Sequence, residues 1–105
     1  MINIEISREP LRVVCSGHAG SGGESLVCCA VSALMYTLCE AAEEMDLDMS
    51  CEEADGYMEL CFDDEGGKAG IIVSAAAAGL KSLARQYPGE IRIDAERISG
   101  PGEDE

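Results

Sequence analysis

Two long segments with apolar residues at every third or fourth position constrain the fold of this chain more than any other feature. The spacing predicts one helix over 25–45 and a second over 69–87. Each helix has one apolar stripe and therefore needs a partner surface to cover it. The predicted stripes are Val27, Val31, Leu34, Leu38, Ala42 and Met45 in the first helix, and Ile72, Ala76, Leu80, Leu83 and Tyr87 in the second.

Short segments of alternating apolar and polar residues surround the two helices and predict strands. These segments lie at 2–6, 11–15, 49–54, 57–62 and 90–95, and Asp55-Gly56 is a strong hairpin turn signal between the third and the fourth. The order ββαββαβ predicts an α+β fold, with two main helices covering a mixed sheet of about five strands. We expect a single domain over 1–98 and a disordered acidic tail over 99–105.

The charge balance is strongly acidic, with 21 Asp and Glu against 7 Lys and Arg, for a net charge of −14 on 105 residues. Such a surface repels phosphate groups and disfavours direct binding of nucleic acid. It attracts basic peptides or proteins, although most of this charge is also what a solvated surface requires. A basic protein partner is therefore compatible with the sequence, and nucleic acid is not expected.

Six cysteines in so short a chain are typical of secreted disulfide proteins, but the other features favour reduced thiols. The first residues alternate like a strand and carry a charge, so they do not resemble a signal peptide. The longest apolar stretch is taken to be 71–80, which is too short to span a membrane. We therefore expect a cytoplasmic protein that does not enter the membrane.

A possible catalytic pair is formed by the single histidine, His18, and by Cys28, which follows it after a glycine-rich loop. If Ser25 caps the first helix, Cys28 is its third residue, near unpaired N–H groups and the positive end of the helix dipole. That position lowers a thiol pKa and provides donors for an oxyanion. His18 then acts as general base and acid, and Gly22 and Gly23 permit the loop to open for an extended peptide.

Other interpretations of these residues stay open. Cys28 can be a small buried residue and His18 an ordinary loop residue, and Cys29 is a rival nucleophile. Four metal ligands are conceivable in Cys15, His18, Cys28 and Cys29, but their spacing departs from paired zinc motifs. The glycine-rich loop lacks the Lys-Ser/Thr of a phosphate loop. We expect neither a metal nor a cofactor.

The segments Gly17-His18-Ala19 and Val27-Cys28-Cys29-Ala30-Val31-Ser32 resemble the ribosomal-processing cysteine proteases, the Prp family. The order of elements and Tyr87-Pro88 before a final strand extend the resemblance over nearly the whole chain. Members of this family are bacterial, cytosolic and usually dimeric. They remove a short N-terminal extension from the large-subunit ribosomal protein twenty-seven, cutting after an aromatic residue.

The resemblance assigns the catalytic histidine to His18 and the nucleophile to Cys28. It also implies supporting or substrate-binding roles for Gly17, Gly22, Gly23, Glu24, Ser25, Cys29 and Ser32. Two positions depart from the family pattern. Ser25, with Glu24 beside it, stands where the family has an aspartate, and Cys29 stands where the family has an alanine.

Two functional hypotheses follow. The first is a cysteine endopeptidase that processes a ribosomal protein and acts as a homodimer. The second is a non-catalytic acidic binding module, such as a ribosome-assembly factor that holds a basic protein. Rapid alkylation of Cys28 near neutral pH favours the first hypothesis, whereas salt-sensitive binding without cleavage favours the second.

Overall fold

The computed structural model describes residues 1–17, 26–63 and 67–96 of the chain. Five strands and two helices follow one another in the predicted order ββαββαβ. The elements are β1 (Ile2–Arg8), β2 (Leu11–Ser16), α1 (Leu26–Glu44), β3 (Met49–Ala54), β4 (Tyr57–Phe62), α2 (Lys68–Gln86) and β5 (Ile91–Ala95). The predicted α+β class is confirmed; the predicted tail at 99–105 lies outside the described residues, and the single-domain assignment stays a prediction.

The strands form one mixed sheet in the order β3-β4-β2-β1-β5. β1 pairs with β5 in parallel, and the other three pairings are antiparallel. Side chains alternate between the two faces of the sheet, and Ile4, Val13 and Leu60 lie fully buried on one of them. The buried sides of α1 and α2 belong to the same core, so the helices cover this face.

The α1 stripe is largely as predicted, but two of its positions were wrong. Met35 is buried at the centre of the helix, whereas Leu34 is only partly buried and Met45 is 40% exposed. Leu34 lies instead between the helices, where its side chain faces Gly79 of α2. Met35 is therefore the residue of α1 that faces the core at this point, while Leu34 packs between α1 and α2.

The α2 stripe is displaced by about one position from the predicted one. Ile72 and Leu83 are only partly buried and Tyr87 is 38% exposed, although Ala76 and Leu80 are buried as predicted. Val73 lies at the centre instead. The buried face consists mainly of small residues that permit close packing: Ala69, Gly70, Val73, Ala76, Ala77 and Leu80.

One helix of the described part of the chain, α1, is long and apolar enough to cross a membrane by length and composition alone. This corrects the expectation that every apolar stretch of the chain is too short to span a membrane. A single helix of this kind is weak evidence for a membrane span, since core helices of soluble proteins pass the same test. In this fold, Val27, Val31, Met35, Leu38 and Ala42 of α1 are buried in the core.

Candidate active site

A pocket of about 200 Å³ lies between the N-terminal half of α1 and the end of the sheet where β2 stops and the β3–β4 hairpin turns. Apolar side chains from β1, β2, β4 and α1 line its interior. They include Ile2, Val31, Met35 and Met58, all of them buried. The pocket is thus an opening in the hydrophobic core at the start of α1.

Cys28 and Ser32 both line this pocket from α1. Cys28 is the third residue of the helix and is half-buried, and Ser32 lies one turn further on. No acidic residue lies in the first turn of α1. The thiol therefore lies at the positive end of a long helix dipole, without a carboxylate of that turn to offset it.

Gly17 is held at the edge of the same pocket by a conformation that requires glycine. Its φ is 95°, and a Cβ at this position would overlap the carbonyl oxygen of Met1. Its N–H donates a hydrogen bond of 2.8 Å to the carbonyl oxygen of Gly56 in the β3–β4 turn. The chain thus leaves β2 in close contact with both the β1 end and the hairpin turn.

The predicted site residues fall into three groups. The structure brings Gly17, Cys28 and Ser32 together in one pocket. Cys29 is exposed on α1 and is not among the residues that line the pocket. The remaining predicted residues lie outside the described part of the chain: His18, Gly22, Gly23, Glu24 and Ser25.

Cys15, which was predicted only as a conceivable metal ligand, also lines this pocket. It lies on β2, on the sheet face that α1 covers, and lines the pocket together with Cys28. Burial, reinforced by the nearby Cys28, raises the pKa of the Cys15 thiol to about 11. Cys15 therefore stays protonated at neutral pH. The alternation of Val13 and Cys15 along β2 predicts that the Cys15 side chain faces the core. It does not predict that Cys28 of α1 lies beside it.

The raised pKa of Cys15 predicts a loss of stability at high pH. An unfolded cysteine titrates near pH 9, whereas folded Cys15 titrates near 11, so the unfolded state loses its proton first. The contribution of this thiol is complete below pH 9 and is lost as the pH rises to 11. We expect the urea midpoint to fall over this range, and to fall less steeply in Cys15→Ala. The exposed Cys29→Ala is the matched control, and an unchanged slope in Cys15→Ala would contradict the assignment.

No group of three His, Cys, Asp or Glu side chains suited to a metal ion occurs within residues 1–17, 26–63 and 67–96. Of the four conceivable ligands, Cys15 and Cys28 lie in the pocket and Cys29 does not line it. His18 is outside the described residues. Glu53 also lines the pocket, but it does not form a metal-ligating group with the two thiols.

A family model described as cysteine protease Prp matches residues 1–92 of the chain. No curated protein matches it. The match includes both segments singled out in the sequence, at Gly17-His18-Ala19 and around Cys28.

Solved structures share the fold over most of the chain. The essential ribosomal processing protease Prp from S. aureus, in complex with a covalently linked product peptide, has a TM-score of 0.76 at 21% identity, covering 90% of this chain and 97% of that one. The same enzyme with a substrate peptide has a TM-score of 0.75 at 20% identity, with the same coverage. SMU.848 from Streptococcus mutans has a TM-score of 0.67 at 25% identity, covering 90% of both chains.

Proposed function

Because this chain belongs to the cysteine protease Prp family, we propose that it removes the short N-terminal extension of ribosomal protein twenty-seven during ribosome maturation. Cys28 is the nucleophile and His18 is the general base and acid. The observation that carries this proposal is the position of Cys28, at the start of α1 and in the wall of a pocket open to a peptide. Gly17, the residue before His18 in the chain, lines the same pocket.

The proposed reaction proceeds through a thioester. The Cys28 thiolate attacks the scissile carbonyl carbon, and N–H groups of the first turn of α1, near Cys28 and Cys29, stabilise the oxyanion that forms. When the C–N bond breaks, His18 donates the proton it took from the Cys28 thiol to the leaving amine, which is the new N-terminus of the shortened ribosomal protein. His18 then takes a proton from water, which attacks the thioester, and the N-terminal extension is released as a carboxylic acid together with the Cys28 thiol.

The pocket supports cleavage next to an aromatic residue. Its volume of about 200 Å³ and the buried apolar side chains of its interior suit one large side chain with no charge. Ile2, Met35 and Met58 supply flexible or branched apolar contacts for a planar ring. The remaining surface carries a large excess of acidic groups, which attracts a basic ribosomal protein.

Two further properties belong to the same proposal. We place the enzyme in the cytoplasm, in agreement with its family resemblance, and we propose that it acts as a homodimer. Large apolar side chains on both helices support a second copy as partner, since Leu26 is 84% exposed and Ile71 is 70% exposed.

The proposal is tested with a synthetic peptide that spans the N-terminal extension of the host's ribosomal protein twenty-seven. We expect mass spectrometry to show a single cut after an aromatic residue when the reduced protein is added. A scrambled peptide of the same composition is the control. Salt-sensitive binding of the intact peptide, with no cut, would overturn the proposal and favour the acidic binding module instead.

A further inference from the structure

Among the described residues that line the Cys28 pocket, Glu53 of β3 is the one with a charged side chain. It is exposed, and the hydroxyl of Tyr36 on α1 donates a hydrogen bond to its Oε2. Tyr36 lines the pocket as well. One carboxylate oxygen is thus held by the helix, while a carboxylate has further lone pairs to accept bonds from a ligand.

The sheet register fixes how far Glu53 lies from the reactive thiol. Glu53 pairs with Met58 on β4, and Met58 pairs with Cys15 on β2, so the three form one row across adjacent strands. Two strand spacings separate the Glu53 and Cys15 backbones by about 10 Å. Cys15 lies beside Cys28 in the pocket. An extended peptide advances about 3.3 Å per residue, so this distance corresponds to about three substrate residues.

The charge of Glu53 is not balanced by a cation of the pocket. Among the described residues that line the pocket, none is a lysine or an arginine. Arg12, on β2, two strands away from Glu53, lies on the opposite face of the sheet and forms an ion pair with Glu59, with 2.6 Å between Nε and Oε2. A peptide in the pocket therefore meets an acidic group beside an apolar interior.

We propose that Glu53, positioned by Tyr36, selects substrates that carry a lysine or arginine about three residues from the cleaved bond. The inference rests on the proposed protease function and adds a second specificity element to the apolar pocket. A cationic side chain of that reach contacts the Glu53 carboxylate while the aromatic residue occupies the interior. The carboxylate rejects an acidic side chain at the same place by repulsion.

Short acetylated peptides with a single phenylalanine test this selection. Lysine is moved through the four positions on either side of the phenylalanine, and each peptide is compared with its glutamine counterpart. For wild type, we expect the best lysine peptide to exceed its counterpart about tenfold in kcat/KM, mainly through KM. In Glu53→Gln the ratio falls to about one, and in Tyr36→Phe we expect an intermediate ratio.

Glu52→Gln is the matched control. Glu52 is also exposed on β3 and has the same charge, but it points to the opposite face of the sheet, as alternation requires. Both variants remove one negative charge, so a difference between their lysine preferences must come from the position of Glu53 at the pocket. An equal fall of the lysine preference in Glu52→Gln and Glu53→Gln, or no fall in either, would overturn the proposal.

A second readout does not depend on proteolysis. Cationic and anionic methanethiosulfonate reagents convert the Cys28 thiolate to a mixed disulfide and release methanesulfinate, and peptide mapping reports modification at Cys28 alone. We expect Glu53→Gln to lower the cation-to-anion rate ratio about threefold, while Glu52→Gln leaves it unchanged. If no peptide is cut but the rate ratio falls in Glu53→Gln, the protease function is overturned, while the effect of the Glu53 charge on the Cys28 pocket is supported. If peptides are cut but neither the lysine preference nor the rate ratio changes in Glu53→Gln, the role of Glu53 is overturned and the protease function is supported.

Discussion

Cys28→Ala is expected to abolish cleavage of the ribosomal-protein peptide, with a loss of at least about a thousandfold in kcat. In the proposed mechanism the sulfur is the atom that forms the thioester, and no other group of the described pocket replaces it. Cys15, the other thiol there, stays protonated because its pKa is raised to about 11. Mass spectrometry of timed reactions measures the remaining rate. Because Cys28 is half-buried and alanine suits a helix, the variant should keep the fold.

Cys29→Ala is the matched control for this result. It removes a neighbouring thiol from the same turn of α1, and its side chain is exposed and outside the pocket lining. We expect activity within about twofold of wild type, since surface substitutions away from the chemistry have small effects. Loss of cleavage in Cys29→Ala with retention in Cys28→Ala would exchange the two assignments. Circular dichroism of both variants shows whether either effect reflects folding.

The role of His18 is tested in the same assay. His18→Ala should lose most of its activity while Cys28 still reacts with iodoacetamide, only more slowly at neutral pH. This split distinguishes a base from a residue that merely supports the pocket. Full cleavage by His18→Ala would remove His18 from the mechanism and leave Cys28 to be activated by the helix alone.

The fold was predictable because its signals are local. Alternating residues such as Ile2, Ile4 and Ile6 define a strand face, and Asp55-Gly56 marks the hairpin, with Gly56 at a φ of 71°. Which residue of a helix lies deepest is a different kind of information. Leu34 and Met35 both fit an apolar stripe, and only the approach of α2 at Gly79 decides that Leu34 packs between helices.

Site residues could be predicted where their role depends on a local feature such as a helix start. They could not be predicted where strand pairing brings distant segments together. Cys28 was predicted as a site residue because it lies near a helix start, which is a local property, and the structure places it in the pocket lining. The places of Cys15, Tyr36 and Glu53 around the pocket were not predictable, because they depend on pairings between β2, β4 and β3 and on the packing of α1 above them. Segments distant in sequence thus contribute residues to the pocket in which Cys28 lies.

Gly17→Ala is the second change for which we expect a large effect, in this case on the free energy of unfolding. Alanine at a φ of 95° is strained, and its Cβ would also overlap the carbonyl oxygen of Met1. Backbone strain of this kind costs about 1–3 kcal/mol, and relief of the overlap must displace the β1 end that also lines the pocket. We expect urea unfolding to show a loss of at least about 2 kcal/mol, with lower peptidase activity.

Gly89→Ala provides the matched control for Gly17→Ala, because a Cβ at Gly89 meets nothing within 4 Å and its backbone is outside the left-handed region. Its stability should stay within about 0.5 kcal/mol of wild type. Gly17 also donates the 2.8 Å hydrogen bond to the carbonyl oxygen of Gly56, so this residue connects the end of β2 to the β3–β4 turn. If Gly17→Ala is as stable as Gly89→Ala, the prediction is wrong, and the backbone at Met1 and residue 17 can move apart at little cost in free energy. Retained stability with lost cleavage would instead assign Gly17 a role in shaping the pocket for its substrate.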